Sequence, residues 1–298
     1  MLDVGIVILN WNTRDFLKRC LETVLASEGD FTYKVIVVDN ASSDDSVAMV
    51  RSEFPQVELI ASDINGGYPY GNNLGLKALG FHGPGQVDAD APRYAVLLNA
   101  DTEVPPDAFY CMMQYMDSRP EIGVAGPKLV LTDGSLDLAC RRSFPTPLVS
   151  FYRFSGLSKL FPDHPQFGRY NMTFADPDQE LEVDSVVGAY MQVRREAIEQ
   201  VGLLDETFFM YGEDLDWAYR IKTAGWKVFY YPSVVIKHFK RAASRKSQRA
   251  QFEFNRAMLI FYRKHYRMTT PLWLHTLVLL GLLVKSGPAL LPEIRNPA

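Results

Sequence analysis

The sequence predicts an α/β fold built on a mostly parallel central sheet with helices on both faces. Continuous apolar runs predict it, because strands buried on both faces lose the alternation of half-exposed ones. Amphipathic segments between those runs supply the covering helices. A third observation is where the polar residues cluster, which is at the ends of the apolar runs.

In chain order, Val4 to Leu9 reads as the first buried strand. A helix follows from Phe16 to Leu25, with Phe16, Leu17, Cys20, Leu21 and Val24 on one face. Tyr33 to Val38 is the second strand and stops at Asp39; Ser43 and Asp44 then cap a helix running to Phe54. Val57 to Ala61 is a third strand, and Tyr94 to Leu98 a fourth that ends in Asn99-Ala100-Asp101. His82 to Arg93 carries Gly83-Pro84-Gly85 and reads as a surface insertion. Arg141 to Asp178, interrupted by Pro145, Pro147, Pro162, Pro165 and Pro177, reads as a long irregular excursion of the lid or binding-loop type. A strand pattern resumes over Val183 to Val193, with helices at Arg195 to Val201 and Glu213 to Thr223 and a strand at Lys227 to Tyr231.

With 298 residues, 47% of them apolar and 22% charged, the chain can bury a sizeable core. Its net charge of −4 hides an asymmetry: Lys237 to Arg267 holds ten Lys and Arg against the single acid Glu253, a formal +9. Such a face suits an anionic partner. Cys20, Cys111 and Cys140 are odd in number and lack metal spacing, which predicts no disulfide framework and a reducing compartment. The N-terminus runs straight into a strand pattern, so no signal peptide is expected.

We expect one domain over 1–243, with a nucleotide-binding half over 1–130 and an acceptor-side half over 131–243. A helical, basic extension over 244–298 follows. That extension ends in the apolar run Pro271 to Val284, 14 residues against the roughly 20 needed to span a bilayer. Arg263, Lys264 and Arg267 precede it, as in a helix lying in a membrane interface. A buried helix or a homodimer contact are the alternatives.

No nucleophile elbow, P-loop or GxGxxG is present, and Gly66-Gly67-Tyr68-Pro69-Tyr70-Gly71 has the wrong spacing for a dinucleotide fold. What remains is Asn10-Trp11-Asn12, Asp39-Asn40 and Asn99-Ala100-Asp101, all at strand ends and expected to meet in one crevice. An acid directly after a buried strand is costly to leave unpaired. A Mg2+ or Mn2+ ion would resolve that cost at Asp101, and an Asx turn would equally account for it. Glu213, Asp214 and Asp216 place three acids in four positions at a helix start, beyond what the helix dipole rewards. Asp216 can pair with Arg220, which leaves Glu213 and Asp214 as candidates for a general base or as plain first-turn acids.

These segments together resemble glycosyltransferase family 2 with its GT-A fold, over roughly residues 3 to 240. The motifs VILNWN, VIVVDNASSDDS, NGGYPYGNNLG, LLNADTEV and GLLDETFFMYGEDLDWAYRIKTAGWKVFYYPSVVIKH occur in the family's order. The pattern is especially similar to rhamnosyltransferase-like members that build bacterial surface polysaccharides. The resemblance implies that Asp39 recognises a pyrimidine base and that Asn12 and Asn73 help hold the nucleotide. Asn10, Asn40, Asn65, Gly67, Asn99 and Ala100 would complete the nucleotide-sugar site. Asp101 would ligate a divalent Mg2+ or Mn2+, joined by His238. Asp214 would deprotonate the acceptor hydroxyl, and Glu213 would orient Asp214 or the acceptor. Asn99 departs from the family's usual first Asp, so Asp101 would be the sole acid of its motif.

The implied reaction is one in-line displacement that inverts the anomeric carbon. The expected donor is dTDP-rhamnose or a UDP-sugar, and the acceptor a glycan or a polyprenyl-diphosphate-linked glycan. The expected location is cytoplasmic, at the inner face of the cell membrane. No nucleic-acid partner is expected. A catalytically inactive GT-A scaffold and a sugar-1-phosphate nucleotidyltransferase are the alternative functions.

Overall fold

The computed structural model describes residues 2–240 and 248–295. The boundary expected at 243/244 and the basic residues Arg241, Arg245 and Lys246 lie outside the described residues. In chain order the elements are β1 (Val4–Asn10), α1 (Arg14–Leu25), β2 (Tyr33–Asn40), α2 (Ser46–Glu53), β3 (Glu58–Ser62) and α3 (Tyr68–Ala78). Next come β4 (Phe81–Gly83), β5 (Gln86–Val87), β6 (Tyr94–Asn99), β7 (Thr102–Glu103), α4 (Ala108–Asp117) and β8 (Ile122–Val130). The second half of the chain adds α5 (Pro147–Phe154), α6 (Leu157–Leu160), β9 (Leu181–Glu182), β10 (Tyr190–Arg194), α7 (Arg195–Val201), α8 (Glu213–Thr223) and β11 (Lys227–His238). The extension contains α9 (Gln248–His265), α10 (Leu272–Ser286) and α11 (Leu291–Arg295).

The main sheet runs β3-β2-β1-β6-β10-β8-β11-β7, with β9 paired to β11. Strands β3, β2, β1 and β6 are parallel, so Asn10, Asn40 and Asn99 all end at one edge. Strand β10 is antiparallel to β6 and β8, and β11 is parallel to β8. Ile6, Ile8, Ile36, Val38, Val96 and Leu98 are sealed from solvent, as their unbroken apolar sequence requires.

Four segments depart from the sequence reading. The glycine-rich stretch is largely helix: α3 starts at Tyr68, with Pro69 in its first turn. Its glycines serve close packing, because a Cβ at Gly71 would sit 2.3 Å from Leu9 Cδ1 and one at Gly75 2.4 Å from Val7 Cγ1. The excursion after Arg141 contains α5, α6 and a turn of 3₁₀ helix. Helix α5 is started by Thr146, which accepts from Val149 N at 3.2 Å, and by Pro147 behind it. The strand expected over 183–193 is only Tyr190–Arg194. Its earlier part leaves the sheet because Arg142 N donates to Ser185 O at 2.9 Å and Ser185 N to Arg142 O at 3.0 Å. Strand β11 runs on to His238 through Pro232, where its register against β8 shifts.

The extension is not a separate body. Ala257 and Phe261 of α9 pack with Leu215 of α8 and with Phe208. The carboxylate of Asp216, fully buried, accepts from Arg220 at 2.9 Å, Lys264 at 2.8 Å and His265 at 2.7 Å. Burial alone would raise its pKa, but the His265 hydrogen bond and the Arg220 and Lys264 charges bring it down to about 2.

Candidate active site

The first wall of the crevice is the end of β1 and β2. Asn10 and Asp39 lie opposite one another in register and are both buried. Asn10 Nδ2 donates to Asp39 Oδ2 at 2.7 Å, and Ser42 N donates to Asp39 Oδ1 at 2.9 Å. The carboxylate is thereby held rigid at the sheet edge. Asn12 takes a left-handed φ of 52° and accepts from Ser43 N at 2.7 Å, which ties the loop after β1 to the loop after β2.

Asn40 and Asn65 form the floor beside them. Asn40 Nδ2 donates to Asn65 Oδ1 at 2.9 Å and to Gly67 O at 3.0 Å. Gly67 has φ 94°, and a Cβ there would strike Phe209 O at 2.3 Å, so only glycine fits. Asn73 stands apart. Its Nδ2 donates to Leu204 O at 2.9 Å and Glu206 Oε1 at 2.8 Å, and its Oδ1 accepts from Leu204 N at 3.1 Å. That amide pins a loop to α3 and has little capacity left for a ligand.

The second wall joins the residues after β6 to the end of β11. Strand β7 pairs with β11, His238 opposite Thr102, and Phe239 N donates to Asp101 O at 2.9 Å. This brings His238 Nε2 to 3.4 Å from Asp101 Oδ1. The other ring nitrogen, Nδ1, meets Asp137 Oδ2 at 2.8 Å, and Lys240 pairs with the same carboxylate. Burial would lower the His238 pKa, but hydrogen bonds to Asp101 and Asp137 outweigh it and raise it. Burial would raise Asp137, yet the His238 hydrogen bond and the Lys240 charge hold it well below the usual carboxylate range. The backbone carbonyl of Asn99 accepts from Thr102 Oγ1 at 2.8 Å, and Ala100 is buried beside it.

Glu213 and Asp214 open α8 behind two left-handed residues, Tyr211 at φ 68° and Gly212 at φ 80°. Both acids are 5% exposed, but their partners differ. Asp214 Oδ2 accepts from Arg142 Nη2 at 2.6 Å and Gly188 N at 3.2 Å, and Oδ1 from Leu215 N at 2.8 Å. The buried Arg142 is desolvated, which would lower its pKa, but the Asp214 charge raises it. Glu213 Oε2 is buried with no hydrogen-bond partner. Burial first, and the Asp214 charge second, lift the Glu213 pKa far above an ordinary carboxylate.

Tyr68 links this pair to the sheet edge: its hydroxyl donates to Gly188 O at 2.7 Å. Burial raises that phenol, and the charges of Glu213, Asp214 and Asp101 all add to the shift, so the three acids share one neighbourhood. Asn99 N donates to Ala189 O at 3.0 Å, which joins the two halves of the edge.

Asp101 and His238 suit a divalent cation in their chemistry. One carboxylate oxygen and one imidazole nitrogen face each other, and Asp137 fixes the ring from behind, as carboxylates do for metal-bound histidines. Among the described residues no group of three or more His, Cys, Asp and Glu is placed to hold a metal alone. The remaining ligands would be phosphate oxygens and water.

Arg142, Asp137 and Tyr68 were not picked out from the sequence. Arg142 lies in a segment with no Asp or Glu between Asp137 and Asp163, which is the one signal that pointed to an anionic contact.

The strand-end edge thus carries Asp39, the Asp101–His238 pair and the buried Glu213–Asp214 pair. The chain belongs to glycosyltransferase like family 2, which matches residues 3–253. It is a rhamnosyltransferase-like member with the GT-A fold. It is similar to the N-acetylglucosaminyl-diphospho-decaprenol L-rhamnosyltransferase of Mycobacterium tuberculosis, 28% identical over 80% of this chain and 77% of the relative. The rhamnosyltransferase WbbL of Escherichia coli is also 28% identical, over 79% of this chain and 83% of its own. Among solved structures, GalNAc-T7 with UDP, GalNAc and Mn2+ superposes with a TM-score of 0.60 at 15% identity. It covers 91% of this chain, which spans 52% of that one. The mannosyltransferase PcManGT of Pyrobaculum calidifontis, in complex with GDP-Man and Mn2+, gives 0.58 at 15% identity, covering 99% of this chain and 76% of its own.

Proposed function

We propose that the protein transfers rhamnose from dTDP-rhamnose to a polyprenyl-diphosphate-linked glycan, in the assembly of a bacterial surface polysaccharide. The observation that carries it is the meeting of Asp39, Asp101–His238 and Glu213–Asp214 along one sheet edge. The rhamnosyltransferase relatives support the sugar, and the decaprenol-linked substrate in the name of the mycobacterial relative supports the acceptor. The reaction is then cytoplasmic, at the inner face of the cell membrane.

Asp39, braced by Asn10, is placed to read the base edge, and Asn12, Asn40, Asn65 and Gly67 shape the walls around the nucleoside. Asn73 supports that wall from behind. Asp101 and His238 would hold a Mg2+ or Mn2+ ion, which would supply positive charge against the leaving diphosphate. Both solved structures named above contain Mn2+, in keeping with this assignment.

The acceptor hydroxyl loses its proton to the Glu213–Asp214 pair as its oxygen attacks the anomeric carbon, and one displacement inverts that carbon. The family resemblance gives the proton to Asp214. The contacts favour Glu213. Asp214 already accepts three hydrogen bonds, one of them from the paired Arg142, so little of its acceptor capacity is left for a substrate hydroxyl. Glu213 has an unused oxygen and a pKa raised toward the working range of a general base. Burial first, and the charge of Asp214 beside it second, then keep Glu213 basic.

The test is transfer from dTDP-rhamnose to a lipid-linked N-acetylglucosaminyl diphosphate, with and without divalent metal, and NMR of the product anomer. An inverted rhamnoside that needs metal supports the reading. Retention, or turnover with another sugar nucleotide and none with dTDP-rhamnose, overturns it.

A further inference from the structure

Helix α10 is apolar on two faces. Leu282 is buried, and Val278, Leu279 and Leu283 pack beside it against Leu259 of α9. The opposite face is bare: Trp273 is 66% exposed, Leu277 56%, Leu280 52% and Val284 84%. At 3.6 residues per turn these four fall within about 60° of arc, so they form one stripe. Scattered exposed apolar residues are ordinary, but a straight stripe of four large ones marks an interface.

The stripe does not end with α10. Helix α5 packs against α10, with Phe154 in the same cluster as Leu282, and α5 itself exposes Phe151 at 56%. Two segments more than a hundred positions apart thus pack together, and each exposes large apolar side chains to solvent. Neither segment carries an acid: there is no Asp or Glu between Asp137 and Asp163, nor between Glu253 and Glu293. Arg153 and Lys159 on one side and Arg267 and Lys285 on the other supply positive charge.

We propose that α10 and α5 together form the surface by which this protein lies on an anionic lipid bilayer. The stretch Leu272–Arg295 is 24 residues and apolar enough to cross a membrane by length and composition. Its fold favours lying flat. The regular helix stops after 15 residues at Gly287, whose φ is 67°, giving about 22 Å against a core of about 30 Å. Arg263 of α9 then donates to Glu293 O and Ile294 O, both at 2.7 Å, and pins the end of the chain back onto the domain. One face of the helix stays on the protein while the other enters the headgroup region, with Trp273 at the level tryptophan prefers.

The location relative to the site deepens the proposed function, and the inference rests on that reading for its purpose. Arg142 holds Asp214, and five residues further the same segment enters α5. A bilayer under α5 would therefore present a lipid-linked acceptor beside the helix that bears Glu213.

The experiment is flotation of the full chain with phosphatidylcholine vesicles, with and without phosphatidylglycerol, at low and high salt. Leu277→Glu/Val284→Glu and Phe151→Glu are the variants, read in parallel for transfer to a water-soluble acceptor analogue. The proposal expects flotation only with phosphatidylglycerol, a roughly tenfold or greater loss in either variant, and unchanged transfer to the soluble analogue. Wild-type protein that stays at the bottom of the gradient with anionic vesicles overturns it. So does light scattering that shows a dimer which the Leu277→Glu/Val284→Glu change makes monomeric, with vesicle binding unaffected. Loss of soluble transfer in the wild type would strike the proposed function and leave the surface standing.

Discussion

Changing Glu213 to Gln and Asp214 to Asn, one at a time, separates two carboxylates that stand side by side in the sequence. Glu213 Oε2 has no partner to lose, so Glu213→Gln leaves the surrounding hydrogen bonds intact. Its effect should fall on chemistry, a loss of about 10²–10⁴ in kcat with donor affinity unchanged. Stability should move the other way. A carboxyl whose folded pKa is raised contributes stability that is full below its unfolded pKa, about 4.3, and is lost as pH rises through the folded value. Gln carries no such loss, so the variant's Tm should exceed wild type by a margin that widens from pH 5 upward. Asp214→Asn removes the charge from Arg142, a side chain 8% exposed with its Nε already unpartnered. Breaking a buried pair in this way costs about 3–5 kcal/mol, a fall in Tm on the order of 10 °C. The assay is a pH profile of kcat with scanning calorimetry on each variant. Wild-type activity should fall on the acid side at a higher pH than an unshifted Glu allows. Glu213→Gln retaining more than a tenth of wild-type turnover, with folded Asp214→Asn inactive, would refute the assignment and return the base to Asp214.

Three further outcomes are expected. Asp101→Ala and His238→Ala should each weaken nucleotide binding in the presence of Mg2+ or Mn2+ and leave metal-free binding unchanged, by titration calorimetry; equal loss in both conditions would remove the metal role. Asn73→Ala should cost about 2–3 kcal/mol, because Leu204 loses partners for both its N–H and its C=O, while the donor Kd stays within about twofold. A large rise in Kd without loss of Tm would put Asn73 in the donor site. Asp216→Asn should lower Tm at neutral pH. Since the folded pKa of Asp216 is depressed to about 2, its stabilisation is present above the unfolded value near 3.9 and lost as pH falls toward 2. The gap between variant and wild type should therefore close in that window, and a constant gap would count against the charge network.

The strands of the first half were legible because burial on both faces leaves an unbroken apolar signature, as in Val4–Leu9 and Tyr94–Leu98. The polar residues that terminate them were equally plain, and Asn10, Asp39 and Asp101 lie where those endings placed them. What the sequence hid was pairing across distance. Nothing near Asp214 announces Arg142, 72 positions earlier, and nothing near His238 announces Asp137, 101 positions earlier. Such contacts depend on how the segments of the second half fold over the sheet. That half is the less regular one: β10 enters antiparallel, and Asp184 and Ser185 bond to the Arg142 backbone in place of a sheet strand. The Thr146-Pro147 start of α5 was a readable signal, masked by the prolines around it.

Asp216 changes what the C-terminal extension is for. A helix attached only through apolar packing could slide, but Arg220, Lys264 and His265 converge on one buried carboxylate and fix α9 against α8. Asp216 lies two positions from Asp214 and three from Glu213 on the same helix. Motion of the extension is therefore transmitted to the acid pair, since α8 cannot shift without breaking those bonds. At the other end, α9 carries the buried face of α10 through Leu259 and Leu282. The bare stripe on α10 and the unpartnered oxygen of Glu213 thus belong to one rigid path of three helices, α10 to α9 to α8. Under the proposed function, a surface that fixes α10 would also fix the height of Glu213 above it, as a lipid-linked acceptor that cannot diffuse freely to the site would require.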